Sequence, residues 1–235
     1  FLQNVQRRGL TAGRRDPDNA LFPYYTDDRI HDSSESTGPV TVLRVERDGV
    51  SELWEPFSSR REGVHEVERA MYKSVHGNQV VFEEINRDLR MTFRYSWSSS
   101  DRYGFVRRSR LVNLTDTPVT VHVLDGIRNV LPASTTRRFQ LEFSTLVDGY
   151  KRTELAAGTR LALFRLSSVP VDNAEPSEAL RAHVAWAAGL DGATVLLSTT
   201  QLDAFRAGRE VTAESDVRGR RGAYLVVDTV ALAGS

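Results

Sequence analysis

The stretch DLRMTFRYSW, residues 88–97, carries the clearest structural signal in the chain, a strict alternation of apolar and polar side chains. The apolar members occupy the odd positions and are Leu89, Met91, Phe93, Tyr95 and Trp97. A period of two residues is typical of a β-strand with one buried face. A register slip of one residue would bury Arg90 and Arg94, so the pattern predicts that the odd-numbered face lies in the core.

Further short apolar runs follow along the chain, many separated by turn residues at hairpin distance. They span residues 40–45, 67–75, 79–85, 160–168, 180–187, 193–198 and 222–230. VRRSRLVNLTDTPVTVHVLDG, residues 106–126, adds two apolar runs joined by a polar turn, with Pro118 where a strand can begin. Helical signals are confined to residues 144–151 and 199–208, the second with Thr at the N-cap and Gly208 at its end. We therefore expect an all-β fold, a large antiparallel two-sheet β-sandwich with one or two short helices.

The domain organisation follows from where this alternation begins. Residues 1–36 combine Arg and Asp runs with little periodicity and are expected to form an irregular lead-in. Residues 37–235 are expected to form one β-sandwich domain, because strands resume in the same style after the loop at 170–179. The chain begins without an initiator Met and ends just after an apolar run, which favours a piece of a longer protein.

The composition excludes several classes of function. A formal net charge of zero gives no overall field that would attract nucleic acid or an anionic membrane. The chain has no cysteine, and therefore no disulfide framework, thiolate nucleophile or Cys-ligated metal. No apolar run approaches the roughly 18 residues of a membrane helix, and the N-terminus lacks the apolar centre of a signal peptide. We expect a soluble, cytoplasmic protein that binds neither nucleic acid nor membrane.

Motifs for catalysis and metal binding are missing from the sequence. The five histidines show no metal-ligand spacing, and there is no Gly-rich phosphate loop or GxSxG elbow, so no metal and no cofactor is expected. Glu83 and Glu84 are a possible acid–base pair, but neighbours on one strand point to opposite faces. The triplet beginning at Asn113 matches a glycosylation acceptor, although its place in the 106–126 turn favours a turn role.

Aromatic and planar polar residues stand together in three places: FPYYTDDR at 22–29, LWEPF at 53–57 and DGIRN at 125–129. A sugar site typically combines a ring that stacks on the sugar with planar polar groups that bind its hydroxyls. The alternative is that the aromatic residues are core and the polar groups caps, with residues 25–36 a solvated acidic loop rather than a calcium site. The predicted sugar-binding residues are Tyr24, Tyr25, Asp27, Asp28, Arg29, Trp54, Arg128 and Asn129.

A longer stretch carries a family resemblance. YGFVRRSRLVNLTDTPVTVHVLDGIRNVLP (103–132), preceded by LWEPFS (53–58) and FEEINRDLRMTFRYSWSSSD (82–101), resembles the N-terminal β-domain of cellobiose-phosphorylase-type glycoside phosphorylases. The resemblance covers residues 40–132 and implies a β-supersandwich of the galactose-mutarotase-like kind, which usually precedes an (α/α)₆ barrel. In that family the catalytic carboxylate lies on the barrel, and these 235 residues contain no long helical array. No catalytic residue is therefore carried over.

The expected function is a non-catalytic, carbohydrate-associated β-sandwich domain of a glycoside phosphorylase or hydrolase type of enzyme, helping to shape a sugar-binding cleft. Its expected partners are carbohydrate and a helical-barrel catalytic domain or a neighbouring subunit, with a homodimer left open. One alternative with the same fold is a sugar mutarotase or epimerase that transfers protons through His76 and Glu83. The other is an interaction module that packs on a domain or subunit and touches no sugar.

Overall fold

A computed structural model of the chain describes residues 20–23, 33–168 and 181–234, and these are predominantly β-structure, as expected. Within these ranges thirteen strands and three short helices occur. The strands are β1 (Gly38–Arg47), β2 (Val50–Trp54), β3 (Val67–Lys73), β4 (Gln79–Asn86), β5 (Met91–Ser100), β6 (Gly104–Asn113), β7 (Val119–Val130), β8 (Lys151–Leu155), β9 (Ala162–Leu166), β10 (His183–Ala185), β11 (Thr194–Leu196), β12 (Asp216–Arg218) and β13 (Gly222–Leu232). The helices are α1 (Arg137–Glu142), α2 (Ser144–Tyr150) and α3 (Leu202–Arg206).

The strands fall into three sheets among the described residues, where the alternation alone suggested two. One has five strands in the order β11-β13-β7-β1-β2, and two have four, in the orders β10-β9-β8-β12 and β3-β4-β5-β6. One four-stranded sheet is built from β3 to β6, which are consecutive in the chain, whereas the other is built from strands that follow α1 and α2, namely β8, β9, β10 and β12. Periodicity within single strands carries no information about such a division.

The described residues divide into two compact units, one of which contains residues 43–122 and 229–234. Its main feature is the antiparallel meander β3 to β6, in which Phe82 lies opposite Tyr95 and stacks on it with ring centroids 4.8 Å apart. The odd-numbered side chains from Leu89 to Trp97 are all buried, whereas Arg94 is exposed. The predicted core face is therefore confirmed. The turn at Arg87-Asp88 is confirmed as well, and Asn86 closes it by accepting a hydrogen bond from the Leu89 amide at 2.9 Å.

The two apolar runs of residues 106–126 are not paired with each other as a hairpin, because β6 pairs with β5 whereas β7 lies between β1 and β13 in another sheet. The turn that follows β6 is held by the side chain of Asn113. Its amide nitrogen donates to the carbonyl oxygens of Thr117 at 2.7 Å and Ala233 at 3.1 Å. Its oxygen accepts from the backbone amide of Thr115 at 3.1 Å and from the Thr115 hydroxyl at 2.8 Å. Both ends of the Asn113 amide are thus used inside the fold, so this side chain is a turn element and does not present itself as a glycan acceptor.

The second unit contains, among the described residues, 20–23, 33–42, 123–168 and 181–228. Here β13 packs closely on β8 and β9, because a Cβ at Gly222 would meet the side chains of Thr153 and Phe164. Gly126 in β7 is equally confined: a Cβ there would lie 2.9 Å from the Cα of Leu225 and closer still to the Tyr224 carbonyl. These glycines let neighbouring elements approach to distances that no side chain would allow.

Two of the three described helices lie within a few residues of their predicted positions. α2 ends at Tyr150, close to the predicted 144–151, but α1 was not predicted. α3 is shorter than 199–208, and its N-cap is Gln201, which makes no side-chain capping bond, rather than Thr. Gly208 follows it with φ of 73°, the left-handed conformation expected after a helix. Thr200 is used elsewhere, in bonds to Ser198 and Glu214.

A buried lysine in this unit gives a pH-dependent prediction. Nζ of Lys151 lies 2.6 Å from a carboxylate oxygen of Asp148, and burial lowers the pKa of Lys151 from its ordinary 10.5 while Asp148 opposes the shift. We expect Asp148→Asn to lower the free energy of unfolding at neutral pH by on the order of 2 kcal/mol, because the buried ammonium loses its charged acceptor. In unfolded chains the lysine keeps its proton to higher pH than in the fold, so the unfolded state binds more protons between the lowered pKa of the fold and 10.5.

The stability loss of Asp148→Asn should therefore shrink as the pH rises towards that value. Urea unfolding at about pH 7 and about pH 10 measures it. The exposed Asp191→Asn serves as the control, for which a small effect without such pH dependence is expected. An Asp148→Asn loss that is the same at both pH values would contradict the prediction.

Candidate functional site

A cleft of about 550 Å³ opens in the unit of residues 43–122, beside the end of β2. Trp54 forms part of its wall, and Val67 and Arg69 contribute from the start of β3. The polar lining consists of Glu55, Ser58, Ser59, Arg61, Glu62, His65 and Arg69, with Glu84 at the inner end. We refer to this space as the polar cleft. Its volume is in the range of small-molecule sites.

The inner end of the polar cleft is fixed by Glu84, whose side chain is 1% exposed. One carboxylate oxygen accepts from Trp54 Nε1 at 2.8 Å; the other accepts from the Phe57 amide at 2.6 Å and from Arg69 Nε at 2.7 Å. Three donors, one of them charged, offset the free-energy cost of burying the Glu84 carboxylate. Glu84 therefore ties β2, the following loop and β3 to β4, and its charge is balanced by Arg69.

The loop after β2 is held in a strained conformation at Phe57, which has φ of 62°. A left-handed backbone is unfavourable for a bulky residue, by roughly 1–3 kcal/mol, and persists only where the surroundings enforce it. Here the Phe57 ring packs edge-on against Phe82, Phe93 and Tyr95, with the Tyr95 ring centroid 5.5 Å away. The packed ring and the amide bond to Glu84 together fix where the polar part of the loop begins.

Beyond Phe57 the loop continues in successive turns that carry Arg61 into the cleft. The amide of Glu62 donates to the Ser59 carbonyl at 3.3 Å, and that of Val64 donates to the Arg61 carbonyl at 3.2 Å. Nε of Arg61 is buried, yet within the described ranges it has no hydrogen-bond partner. His65, farther along, is already used: Nε2 lies 3.2 Å from the Leu53 carbonyl and Nδ1 3.8 Å from Asp88.

The structure describes three of the eight predicted sugar-binding residues. Trp54 is 2% exposed, and its indole N–H donates to Glu84. Most of the ring is therefore covered by protein, and only a small part of it forms the wall of the cleft. Arg128 and Asn129, at the end of β7, belong to the other unit and are equally buried. Arg128 donates to the Ser34 carbonyl at 3.1 Å, and the Asn129 amide donates to the Thr37 hydroxyl at 2.8 Å.

The remaining five lie outside the described residues, namely Tyr24, Tyr25, Asp27, Asp28 and Arg29. Whether the predicted group binds sugar therefore stays a prediction. Among the described residues of the three aromatic and polar stretches, those of LWEPF reach the polar cleft, through Trp54 and Glu55. The sequence marks none of Arg61, Glu62 and Arg69 with a motif: Arg61 and Glu62 lie in the loop between β2 and β3, which has no periodicity, and Arg69 lies in β3. The one available signal was a run of polar residues directly after LWEPF.

The residues of the epimerase alternative are not joined by any hydrogen bond or ion pair that the structure describes. His76 is exposed in the turn between β3 and β4, and Glu83 lies four residues into β4, about 13 Å along the strand. Glu83 and Glu84 do point to opposite faces, as expected from their adjacency. Glu83 accepts from Tyr72 at 2.9 Å and from Arg94, and its carboxylate raises the pKa of the Tyr72 hydroxyl.

The described ranges hold neither a cluster of metal ligands nor a helix that could span a membrane. Nowhere in residues 20–23, 33–168 and 181–234 do three His, Cys, Asp or Glu side chains cluster as metal ligands would. None of the helices described there has the length and apolar character needed to cross a bilayer. No protein-family model matches the chain, and a search of the curated proteins returns no match.

Proposed function

We propose that this chain is a non-catalytic, carbohydrate-associated β-sandwich domain of a glycoside phosphorylase or hydrolase type of enzyme, and that the polar cleft is where it binds a saccharide. The observation that carries the proposal is the cleft itself, a space of about 550 Å³ whose lining includes three carboxylate and two guanidinium groups, all of them planar. Such groups bind the vicinal hydroxyls of sugars as both donors and acceptors. The resemblance of residues 40–132 to phosphorylase N-terminal domains supports the same class of ligand.

The strained loop gives independent support. Backbone strain of the kind found at Phe57 clusters at functional sites, where the loop conformation serves a purpose other than stability. Here it places Ser58, Ser59, Arg61 and Glu62 in the cleft lining. With the Trp54 ring largely covered, binding would rely on hydrogen bonds that each contribute about 1 kcal/mol, so the isolated domain should bind with a dissociation constant around millimolar.

Blocking the cleft tests the proposal. Ser59 is exposed and lines the cleft, so Ser59→Trp should fill the opening without disturbing the core. We expect gluco-oligosaccharides to shift the amide resonances of residues 54–69 in the unmodified protein, and these shifts to disappear in Ser59→Trp. Trp54→Ala is a poorer variant, because removing a ring that is 2% exposed would open a cavity in the core.

Ser51→Trp is the matched control, since Ser51 is also exposed and lies on β2 outside the cleft lining. It should leave the oligosaccharide-induced shifts unchanged. Shifts that cluster away from residues 54–69, or that survive in Ser59→Trp, would show that the cleft is not the binding site.

A further inference from the structure

Arg61 differs from Arg69, the other arginine that lines the polar cleft, in lacking a partner. Arg69 donates to Glu84 at 2.7 Å. Arg61 lines the cleft, its Nε is buried, and no acceptor among the described residues reaches that atom. No described carboxylate forms an ion pair with its guanidinium either, although Glu62 is its neighbour in the chain. A buried N–H group without an acceptor is rare in folded proteins and calls for a missing partner.

We propose that the ligand of the polar cleft is a saccharide that carries an oxyanion, a carboxylate or a phosphate group, and that Arg61 binds this group. The inference rests on the proposed function of the cleft as a saccharide site. A guanidinium presents parallel N–H donors that match the two oxygens of a carboxylate or phosphate. The oxyanion would supply the acceptor that Nε of Arg61 lacks.

The lining of the cleft carries three carboxylates, those of Glu55, Glu62 and Glu84, and two guanidinium groups, so an anionic ligand depends on how these charges are paired. The charge of Glu84 is balanced by Arg69 at 2.7 Å, so this pair is neutral as a whole. Glu62 is exposed, and water and salt screen its charge. Glu55 is 4% exposed and has interactions of its own. Arg61 is therefore the cleft cation whose charge no described carboxylate balances.

The experiment compares four probes with the full chain at one ionic strength: glucose, glucuronate, glucose 6-phosphate and inorganic phosphate. We expect glucuronate or glucose 6-phosphate to bind at least about tenfold more tightly than glucose, as a charge-assisted bidentate contact would allow. The sugar that binds more tightly identifies the oxyanion as carboxylate or phosphate. In Arg61→Gln the preference over glucose should vanish, whereas it should persist in Arg60→Gln, which removes an adjacent exposed arginine outside the cleft lining.

The outcomes separate this inference from the function on which it rests. Equal binding of neutral and acidic sugars would overturn the role of Arg61 and leave the saccharide site standing, whereas failure of every sugar to bind would overturn both. Inorganic phosphate binding as tightly as the acidic sugars would overturn the saccharide part. If Arg61→Gln does not fold, Arg61→Lys replaces it in the test of oxyanion binding, since lysine keeps the charge without the planar guanidinium. A preference that is unchanged in Arg61→Lys would contradict bidentate binding.

Discussion

Replacing Glu84 by glutamine should lower the free energy of unfolding by about 3–5 kcal/mol, the usual effect of breaking a buried charge pair. The carboxylate is 1% exposed and accepts hydrogen bonds from Trp54, Phe57 and Arg69. A glutamine amide has the same shape, but it turns an NH₂ group towards donors and leaves the Arg69 guanidinium without a counter-charge. Urea unfolding, followed by the fluorescence of the tryptophans, measures the change.

The matched control for this prediction is Glu68→Gln. Glu68 and Arg87 form a pair with the same 2.7 Å separation in the same unit, but their side chains are 57% and 51% exposed. Water screens such a pair, so its loss should cost less than about 1 kcal/mol. Equal losses in the two variants would mean that burial does not set the strength of the Glu84 contacts.

An alanine at Gly126 should destabilise the protein by about 3 kcal/mol or more, the upper end of what overpacking causes. The added Cβ would lie 2.9 Å from the Cα of Leu225 and closer still to the Tyr224 carbonyl. Both obstacles are backbone atoms of β13, a neighbour of β7 in the five-stranded sheet, so no side-chain rotation relieves the clash. The shift in the thermal or urea midpoint measures the effect.

Gly149→Ala controls for the general effect of replacing glycine in this chain. Gly149 lies in α2, and a Cβ there meets no atom within 4 Å. Alanine is the better helix former, so stability should stay the same or rise by up to about 1 kcal/mol. A Gly126→Ala variant that is as stable as Gly149→Ala would show that β7 and β13 can separate freely at this point.

Much of the β-structure could be predicted from the sequence because it depends on local alternation. The odd-numbered face from Leu89 to Trp97 is such a case, since one register alone keeps Arg90 and Arg94 out of the core. The number of sheets depends instead on which strands pair over long separations. β7, for instance, lies between β1 and β13, and no property of the sequence of residues 119–130 indicates that these two strands are its partners.

The candidate site was less predictable for a related reason. Trp54 was recognised as part of an aromatic and polar stretch, but the sequence could not say that its indole N–H would bind Glu84, thirty positions away. Nor could it show that Arg128 and Asn129 would be buried against residues 34 and 37, because that contact brings together the ends of β7 and the segment before β1. Local composition identifies chemical groups, and long-range pairing decides which of them remain free to bind a ligand.

The strand order of the five-stranded sheet has a consequence for the protein while it is still on the ribosome. β3 to β6 are neighbours in the chain and in their sheet, so each strand can pair as soon as the next has emerged. β7 must wait for β13 on one side, and its edge therefore stays open throughout the synthesis of residues 131–221. An open edge of this kind can recruit strands from other nascent chains. The interval between making β7 and making β13 is thus the period in which this chain most needs protection by a chaperone.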